Sequence, residues 1–228
     1  MLDYINHIEN KDVPALVLLH GYGSNMQDLF SLKPYLPPVN IICLQAPKVL
    51  GHEAFAWYDI NWNNGSKIID SEEVERVANE VQNTVSSWID SNNLKGKLII
   101  GGFSQGAILS LAMLKNAYNA DGYVLMSGYM LPEWRHKIWE FEIPVLQTHG
   151  TMDEVIPFDW AKSGSELMKG NHFTFKSYPM AHHLNSECIQ DVREFVEQFL
   201  LQSSQLLRYF FRGISCAISV PRKIEIHT

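Results

Sequence analysis

The chain has 228 residues, of which 46% are hydrophobic and 19% charged, so it is long enough for one domain with a sizeable core. A formal net charge of −7 disfavours nucleic acid as a partner, and three cysteines are too few for a disulfide framework. No apolar run reaches membrane-spanning length, and the first residues lack a signal-peptide pattern. We therefore expect a cytoplasmic protein without stable membrane insertion.

The first apolar run, residues 14–19, predicts a buried strand, and residues 20–23 (His-Gly-Tyr-Gly) follow it directly. A glycine-rich turn lets the backbone approach a substrate, so we predict that the backbone N–H of Tyr22 donates to an oxyanion. His20 is a candidate base, but its position before the glycines favours a role in bracing the turn by hydrogen bonds.

The segment that follows is predicted to complete the sheet and cover it. Residues 24–33 predict a short capped helix, and residues 40–44 predict a strand. Residues 46–70 predict a loop-rich insertion, in which several aromatic side chains cover a sheet edge. Asp70 and Glu73 predict a capping-box-like start to a long amphipathic helix. The aromatic side chains are Trp57, Tyr58 and Trp62.

The most informative motif is Gly-Gly-Phe-Ser-Gln-Gly-Ala at residues 101–107, between an apolar run typical of a strand and one typical of a buried helix. Gly-x-Ser-x-Gly in this context is typical of a nucleophile elbow, a strained turn that exposes a serine hydroxyl. Gly102 and Gly106 are needed there because side chains would collide with the neighbouring strand and helix. Ser104 is the candidate nucleophile, and the N–H of Gln105 is the second candidate oxyanion donor.

Two later strands predict the partners of this serine. Residues 145–150 predict a strand that is followed by Asp153, and residues 173–178 predict a strand that is followed by His182. Carboxyl ends of strands are where open α/β sheets build their sites. The order serine, aspartate, histidine is that of α/β-hydrolases, in which histidine takes the serine proton and aspartate holds the imidazole. His149, at the end of its strand, is predicted to orient the acid loop.

A further strand is predicted at residues 121–127, and the loop at its end is a candidate wall of a substrate pocket. The candidate contacts in this loop are Tyr129 and Met130. No His-x-x-His or Glu-x-x-His spacing supports a metal site, and no dinucleotide or Walker fingerprint is present. We therefore expect neither a metal ion nor a cofactor.

Several motifs, taken in order, resemble the phospholipase/carboxylesterase family of small serine hydrolases, which includes the acyl-protein thioesterases. The resemblance extends over about residues 13–200. It is carried by residues 18–25 (Leu-Leu-His-Gly-Tyr-Gly-Ser-Asn), 57–59 (Trp-Tyr-Asp), 102–106 (Gly-Phe-Ser-Gln-Gly), 127–129 (Ser-Gly-Tyr), 149–150 (His-Gly) with 153–157 (Asp-Glu-Val-Ile-Pro), and 178–182 (Tyr-Pro-Met-Ala-His).

This resemblance implies an α/β-hydrolase with a mostly parallel central sheet, helices on both faces and no large cap domain. It implies hydrolysis of short- to medium-chain acyl esters or thioesters, and sometimes of lysophospholipids. Ser104, Asp153 and His182 match the family's nucleophile, acid and base, and the segment with Trp57 matches one that flanks the acyl groove. The family usually has Met-Gly-His where this chain has Met-Ala-His-His, and the register favours His182 over His183.

Two alternatives to this function and one unexplained segment stay open. One is another enzyme with the same triad, a lysophospholipase or a peptidase, and the other is a non-catalytic binding protein with the hydrolase fold. We expect a small-molecule acyl ester or thioester as the partner, and the sequence leaves a homodimer open.

Residues 1–201 are predicted to form the domain, and residues 202–228 an extension with four basic residues against one acidic residue. For residues 206–212 within it, one interpretation is a basic amphipathic turn that binds a membrane surface or a partner. The other two interpretations, packing on the domain and no functional consequence, are favoured.

Overall fold

A computed structural model describes residues 1–63 and 66–215, with side chains within 1–61 and 67–200. Its strands are β1 (Tyr4–His7), β2 (Ala15–Leu19), β3 (Asn40–Leu44), β4 (Lys48–Gly51), β5 (Ala54–Ala56), β6 (Asn61–Asn63), β7 (Ser66–Ile68), β8 (Leu98–Phe103), β9 (Gly122–Met126), β10 (Trp139–Phe141), β11 (Val145–Gly150), β12 (Met168–Gly170) and β13 (Phe173–Tyr178). Its helices are α1 (Met26–Phe30), α2 (Ser71–Ser91), α3 (Gln105–Lys115), α4 (Phe158–Ser165) and α5 (Ser186–Ser215).

Seven strands form the central sheet, in the order β1-β3-β2-β8-β9-β11-β13. All neighbouring pairs are parallel except β1 and β3, so the prediction of a mostly parallel sheet is confirmed. Because β2, β8, β9, β11 and β13 run in the same direction, the loops after their carboxyl ends lie at one edge of the sheet. The predicted site residues follow these strands, except Trp57, which lies in the insertion after β5.

Helices cover both faces of this sheet, as predicted. Along β2, Leu16 and Leu18 point into a core with α1 and α5, whereas Val17 and Leu19 point into the core with α2, α3 and α4. This alternation is the period of two that a strand imposes. Helix α3 is apolar on all sides, and every residue from Gln105 to Leu114 is buried, so the elbow that precedes it is anchored in the interior.

The insertion at residues 46–70 differs from the loop-rich segment that was predicted. It contains two short antiparallel hairpins, β4–β5 and β6–β7. Lys48 bridges Asp59 and Glu73, which ties the insertion to α2. Asp70 caps α2 by accepting from the N–H of Glu72, but Glu73 accepts from the N–H of Asp59 instead of returning to Asp70. The predicted capping box is therefore only half formed.

Other boundaries also differ from the sequence analysis. The helix predicted at residues 24–33 ends at Phe30, and a separate 3₁₀ turn at Lys33–Tyr35 contains Pro34, which cannot continue a helix. Strand β1, helix α4 and the parallel pair β10–β12 were not predicted. These elements are short, and β1 lies at a half-exposed edge, so their apolar patterns are weak.

Helix α5 continues to Ser215, so the predicted domain boundary at residue 201 falls inside a helix. The backbone of residues 206–212, the predicted basic turn, is part of this helix. Residues 216–228, which include the rest of the predicted extension, lie outside the described residues, as does the side chain of Trp62. Among the described helices, none combines the length and apolar composition that crossing a bilayer requires.

Candidate active site

Ser104 lies on the turn between β8 and α3 in a strained backbone conformation, with φ 54° and ψ −114°. Its N–H donates to the carbonyl of Met126 at 2.8 Å, which fixes the turn to β9. The two motif glycines allow the close approach: a Cβ at Gly102 would collide with the backbone of Gly106, and a Cβ at Gly106 would collide with the carbonyl of Leu19. The elbow geometry predicted from the motif is therefore present.

His182 lies between Ser104 and Asp153. Its Nε2 is 2.8 Å from Oγ of Ser104, and its Nδ1 is 2.6 Å from Oδ2 of Asp153. The ring also packs against Phe103, the residue before the serine, with ring centroids 5.0 Å apart. His183, the alternative base, is exposed on the surface. The structure thus brings together the three side chains that the sequence singled out, with His182 in the position of the base.

The electrostatics of Asp153 assign the protons of this group. Burial raises the pKa of the Asp153 carboxyl, but hydrogen bonds from His182 and from the N–H of Ile156 outweigh it and hold the pKa below its usual value. The carboxylate is therefore ionised and only accepts, so Nδ1 of His182 carries the proton. Nε2 is then free to accept from the hydroxyl of Ser104, which is the arrangement that proton removal from serine needs.

The acid loop is fixed by its own backbone and by a second histidine. Oδ1 of Asp153 accepts from the N–H groups of Val155 and Ile156 at 2.9 and 2.8 Å. His149 is fully buried at the end of β11, and its Nε2 donates to the carbonyl of Ile156 at 2.8 Å. Burial lowers the pKa of His149, so it is held neutral. These bonds match the predicted role of His149 in orienting the loop.

The histidine loop reaches the serine by folding back over the end of β11. Two strands, β9 and β11, separate β8 from β13, so three strand spacings of about 4.8 Å must be crossed. The loop is held there by a bond from the N–H of Met152 to the carbonyl of Met180. Gly150 is necessary at this crossing, because a Cβ would collide with the carbonyls of Met180 and Ala181.

The turn with the predicted oxyanion donor is braced by His20, as the sequence analysis favoured. His20 is buried, its Nδ1 donates to the carbonyl of Gly21 at 2.8 Å, and its Nε2 accepts from the N–H of Ala46 at 3.1 Å. Burial lowers the pKa of His20, which agrees with a neutral ring that donates and accepts. Trp57 packs against this ring at a tilt and donates from Nε1 to the carbonyl of His20 at 2.8 Å.

The side chain of Gln105 has a role that the sequence analysis did not identify. Its Oε1 accepts from the N–H of Trp57 at 2.9 Å, and its Nε2 donates to the carbonyl of Tyr58 at 2.8 Å. The elbow is thereby joined to the insertion. Gln105 is the first residue of α3, so its own N–H has no helical partner and stays available as an oxyanion donor. The N–H assignments for Tyr22 and Gln105 stay predictions.

A cavity of about 360 Å³ opens beside Ser104 and His182. Its wall is mostly apolar, with Ile60, Ile69, Ile108, Val155 and Ile156 among the lining residues, together with Tyr22, Tyr58, Lys67, Gln105 and Tyr129. Of the three predicted substrate contacts, Tyr129 lines this cavity. Trp57 and Met130 are buried and do not line it, so they stay predictions as substrate contacts.

The fold and this arrangement of serine, histidine and aspartate define a serine hydrolase with the α/β-hydrolase fold. Within the part of the chain that the structure describes, no group of three or more His, Cys, Asp or Glu side chains could hold a metal ion. The Phospholipase/Carboxylesterase family profile matches residues 3–200, and the chain belongs to this family.

Two curated relatives agree with this membership, and a solved structure shares the fold. Acyl-protein thioesterase 1 of Debaryomyces hansenii is 32% identical over 213 residues, which cover 82% of this chain and 91% of that protein. The Saccharomyces cerevisiae protein of the same name is 27% identical over 211 residues, with 82% and 92% covered. The structure of Zea mays acyl-protein thioesterase 2 has a TM-score of 0.69 at 22% identity, with 88% of this chain and 99% of that chain covered.

A second structure extends this likeness to a bacterial protein. The carboxylesterase of Bacillus cereus has a TM-score of 0.70 at 18% identity, with 87% of this chain and 94% of that chain covered. At this identity the likeness shows the shared fold.

Proposed function

We propose that the protein is a carboxylesterase or thioesterase that hydrolyses short- to medium-chain acyl esters or thioesters through an acyl-enzyme on Ser104. The observation that supports this most directly is His182, which lies 2.8 Å from Ser104 and 2.6 Å from Asp153 beside an apolar cavity. The curated relatives named as acyl-protein thioesterases support the same substrate class.

The first half of the reaction forms the acyl-enzyme. Oγ of Ser104 attacks the substrate carbonyl carbon while Nε2 of His182 takes its proton. The negative charge on the carbonyl oxygen is stabilised by the N–H groups of Tyr22 and Gln105, each worth about 2.7–4 kcal/mol in the transition state. The imidazolium, stabilised by Asp153, then gives the proton to the leaving alcohol or thiol, and the bond to that group breaks.

The second half releases the acid. Water attacks the acyl carbonyl, His182 takes its proton, and the same N–H groups stabilise the second oxyanion. Ser104 leaves with the proton from His182. The apolar wall of the cavity holds the hydrocarbon of the acyl group during both halves, because burial of apolar surface favours binding without directional bonds.

The test is hydrolysis of p-nitrophenyl esters and acyl thioesters by wild type, Ser104→Ala and Ser86→Ala. Ser86 is exposed on α2 and serves as the matched serine control. We expect Ser104→Ala to reduce kcat by at least about 10³-fold and Ser86→Ala to be unchanged. Mass spectrometry of an acid-quenched reaction should find the acyl group on the peptide that contains Ser104. Turnover that survives Ser104→Ala contradicts the proposal.

Histidine substitutions test the base. We expect His182→Ala to lose about 10³-fold or more in kcat, and His183→Ala to retain activity within about threefold. The reverse order would move the base to His183. Release of fatty acid from a lysophospholipid, measured in the same variants, tests the alternative substrate of the same triad.

The proposal includes a cytoplasmic location, and it leaves the formation of a homodimer open. Cell fractionation measures the first, and light scattering at several protein concentrations measures the second. Removal of residues 202–228 tests the extension: unchanged hydrolysis of small esters together with weaker vesicle binding would assign it to a lipid surface.

A further inference from the structure

A second cavity, of about 340 Å³, adjoins the cavity beside Ser104. The two share three lining residues, Lys67, Ile69 and Tyr129, which form the junction between them. The far wall of the second cavity contains Glu133, Arg135 and Trp160. A chain that enters the apolar cavity from the serine therefore meets a more polar space beyond the junction.

Tyr129 presents a hydrogen-bond donor at this junction. Its side chain is more than nine-tenths buried and packs against Trp160, with ring centroids 5.3 Å apart. Burial raises the pKa of Tyr129 to about 12, so the hydroxyl keeps its proton. Tyr129 lines both cavities, where a ligand oxygen can accept from its hydroxyl.

Two cationic side chains, Lys67 and Arg135, lie at and beyond the junction, and the Asp153 carboxylate interacts with Lys67 from the acid loop. The ammonium of Lys67 donates to the carbonyl of Val155 at 2.6 Å, which places the charge at the edge of both cavities. Arg135 donates to the carbonyls of Met130 and Trp160 at 2.9 and 3.1 Å, so its guanidinium is fixed in the wall. Glu133 is the anionic side chain of the second cavity, and two cations face it there.

The order of these features along the cavity selects a substrate class. The cavity beside Ser104 has a mostly apolar wall with several isoleucine and valine side chains, which favours a hydrocarbon and disfavours a charged group. At the junction, Lys67 supplies an ammonium and Tyr129 a hydroxyl. We propose that the acyl chain ends in a carboxylate that binds the Lys67 ammonium and the Tyr129 hydroxyl, so that the substrates are half-esters or half-thioesters of dicarboxylic acids. This inference rests on the proposed function.

The experiment compares two series of p-nitrophenyl esters with equal carbon number, one neutral and one with a terminal carboxylate, over about four to ten carbons. In each variant the measured quantity is the ratio of kcat/KM for the carboxylate ester to that for the neutral ester. A charge-assisted hydrogen bond supports an expected fall of about tenfold or more in this ratio for Lys67→Met at the best chain length. Lys67→Glu should lower it further. Lys162→Met, an exposed lysine of α4 outside both cavities, should leave the ratio unchanged.

Three results would overturn the proposal. The first is an equal ratio in wild type and Lys67→Met, and the second is an equal fall in Lys162→Met, which would indicate a general charge effect. The third is a Lys67 dependence for esters of phosphate-bearing alcohols but not for carboxylate acyl chains. The control is hydrolysis of the neutral esters. If it depends on Ser104, the proposed function holds, and any of the three results counts against the dicarboxylate proposal alone.

Discussion

His149 donates a hydrogen bond from Nε2 to the carbonyl of Ile156 at 2.8 Å, while the N–H of Ile156 donates to Asp153. The same Nε2 lies 3.5 Å from Oδ2 of Asp153. His149 does not line the cavity, and its hydrogen bond and its close contact with Asp153 are both to the acid loop. It is a positioning residue.

Substitution of His149 should change turnover more than substrate binding. We expect His149→Ala to lower kcat by about ten- to a hundredfold, because small misplacements of catalytic groups have effects of that size. KM should change little. His149→Gln can donate from a similar position and should recover most of the loss. Steady-state kinetics check this, and wild-type kcat in His149→Ala would remove the positioning role.

Asp153 should make the stability of the folded protein depend on acid pH. Its pKa is lower in the folded protein than the value of about 3.9 expected in the unfolded chain. Its ionised form therefore stabilises the fold above that value, and this contribution is lost as the pH falls through the folded pKa. The difference in free energy of unfolding between wild type and Asp153→Asn should be constant above about pH 5 and shrink below about pH 4. Urea unfolding at each pH measures it, and a difference that grows in acid would reverse the assigned shift.

Gly106 should tolerate no side chain. A Cβ there would meet the carbonyls of Leu19 and His20, which are backbone atoms of a buried strand and its turn. We expect Gly106→Ala, and more severely Gly106→Val, to lose activity together with soluble folded protein. Gly51→Ala is the matched control, because no atom lies within 4 Å of its Cβ position. Normal activity and melting temperature in Gly106→Val would contradict the elbow assignment.

The side chain of Gln105 should contribute to both stability and activity. Gln105→Leu leaves the N–H of Trp57 and the carbonyl of Tyr58 buried without partners, each costing about 1–3 kcal/mol. We expect this loss in urea unfolding, accompanied by lower kcat because the turn with the oxyanion donor moves. Gln190→Leu, an exposed glutamine of α5 that bonds to Glu194, should stay within about 0.5 kcal/mol of wild type. Equal effects of the two substitutions would argue against a role of the Gln105 side chain in joining the elbow to the insertion.

The central strands and the elbow could be predicted because their signals are local. The apolar run before Ser104, the glycines around it and the helix after it lie within about twenty residues of sequence. Asp153 and His182 could be placed for a second reason: each directly follows a predicted strand, and parallel strands end at one edge. Together these rules indicated three side chains that the structure brings within hydrogen-bond distance.

Contacts between distant segments could not be predicted in this way. Gln105 bonds to residues 47 and 48 positions earlier, and Lys67 bonds to a carbonyl 88 positions later. Neither residue type indicates such a partner, because a glutamine or a lysine is ordinarily a solvated side chain. Trp57 shows the same limit: an aromatic residue near a site can line it or support it, and here it supports the turn through His20.

The hairpin β6–β7 forms its own small sheet and has no strand pairing with the central seven strands. Residues in and beside it, Ile60, Lys67 and Ile69, nevertheless form much of the cavity wall. Part of the cavity wall is thus encoded in a stretch of the gene apart from the codons of the triad. A library confined to codons 60–69 can vary this part of the wall while the inherited triad stays intact.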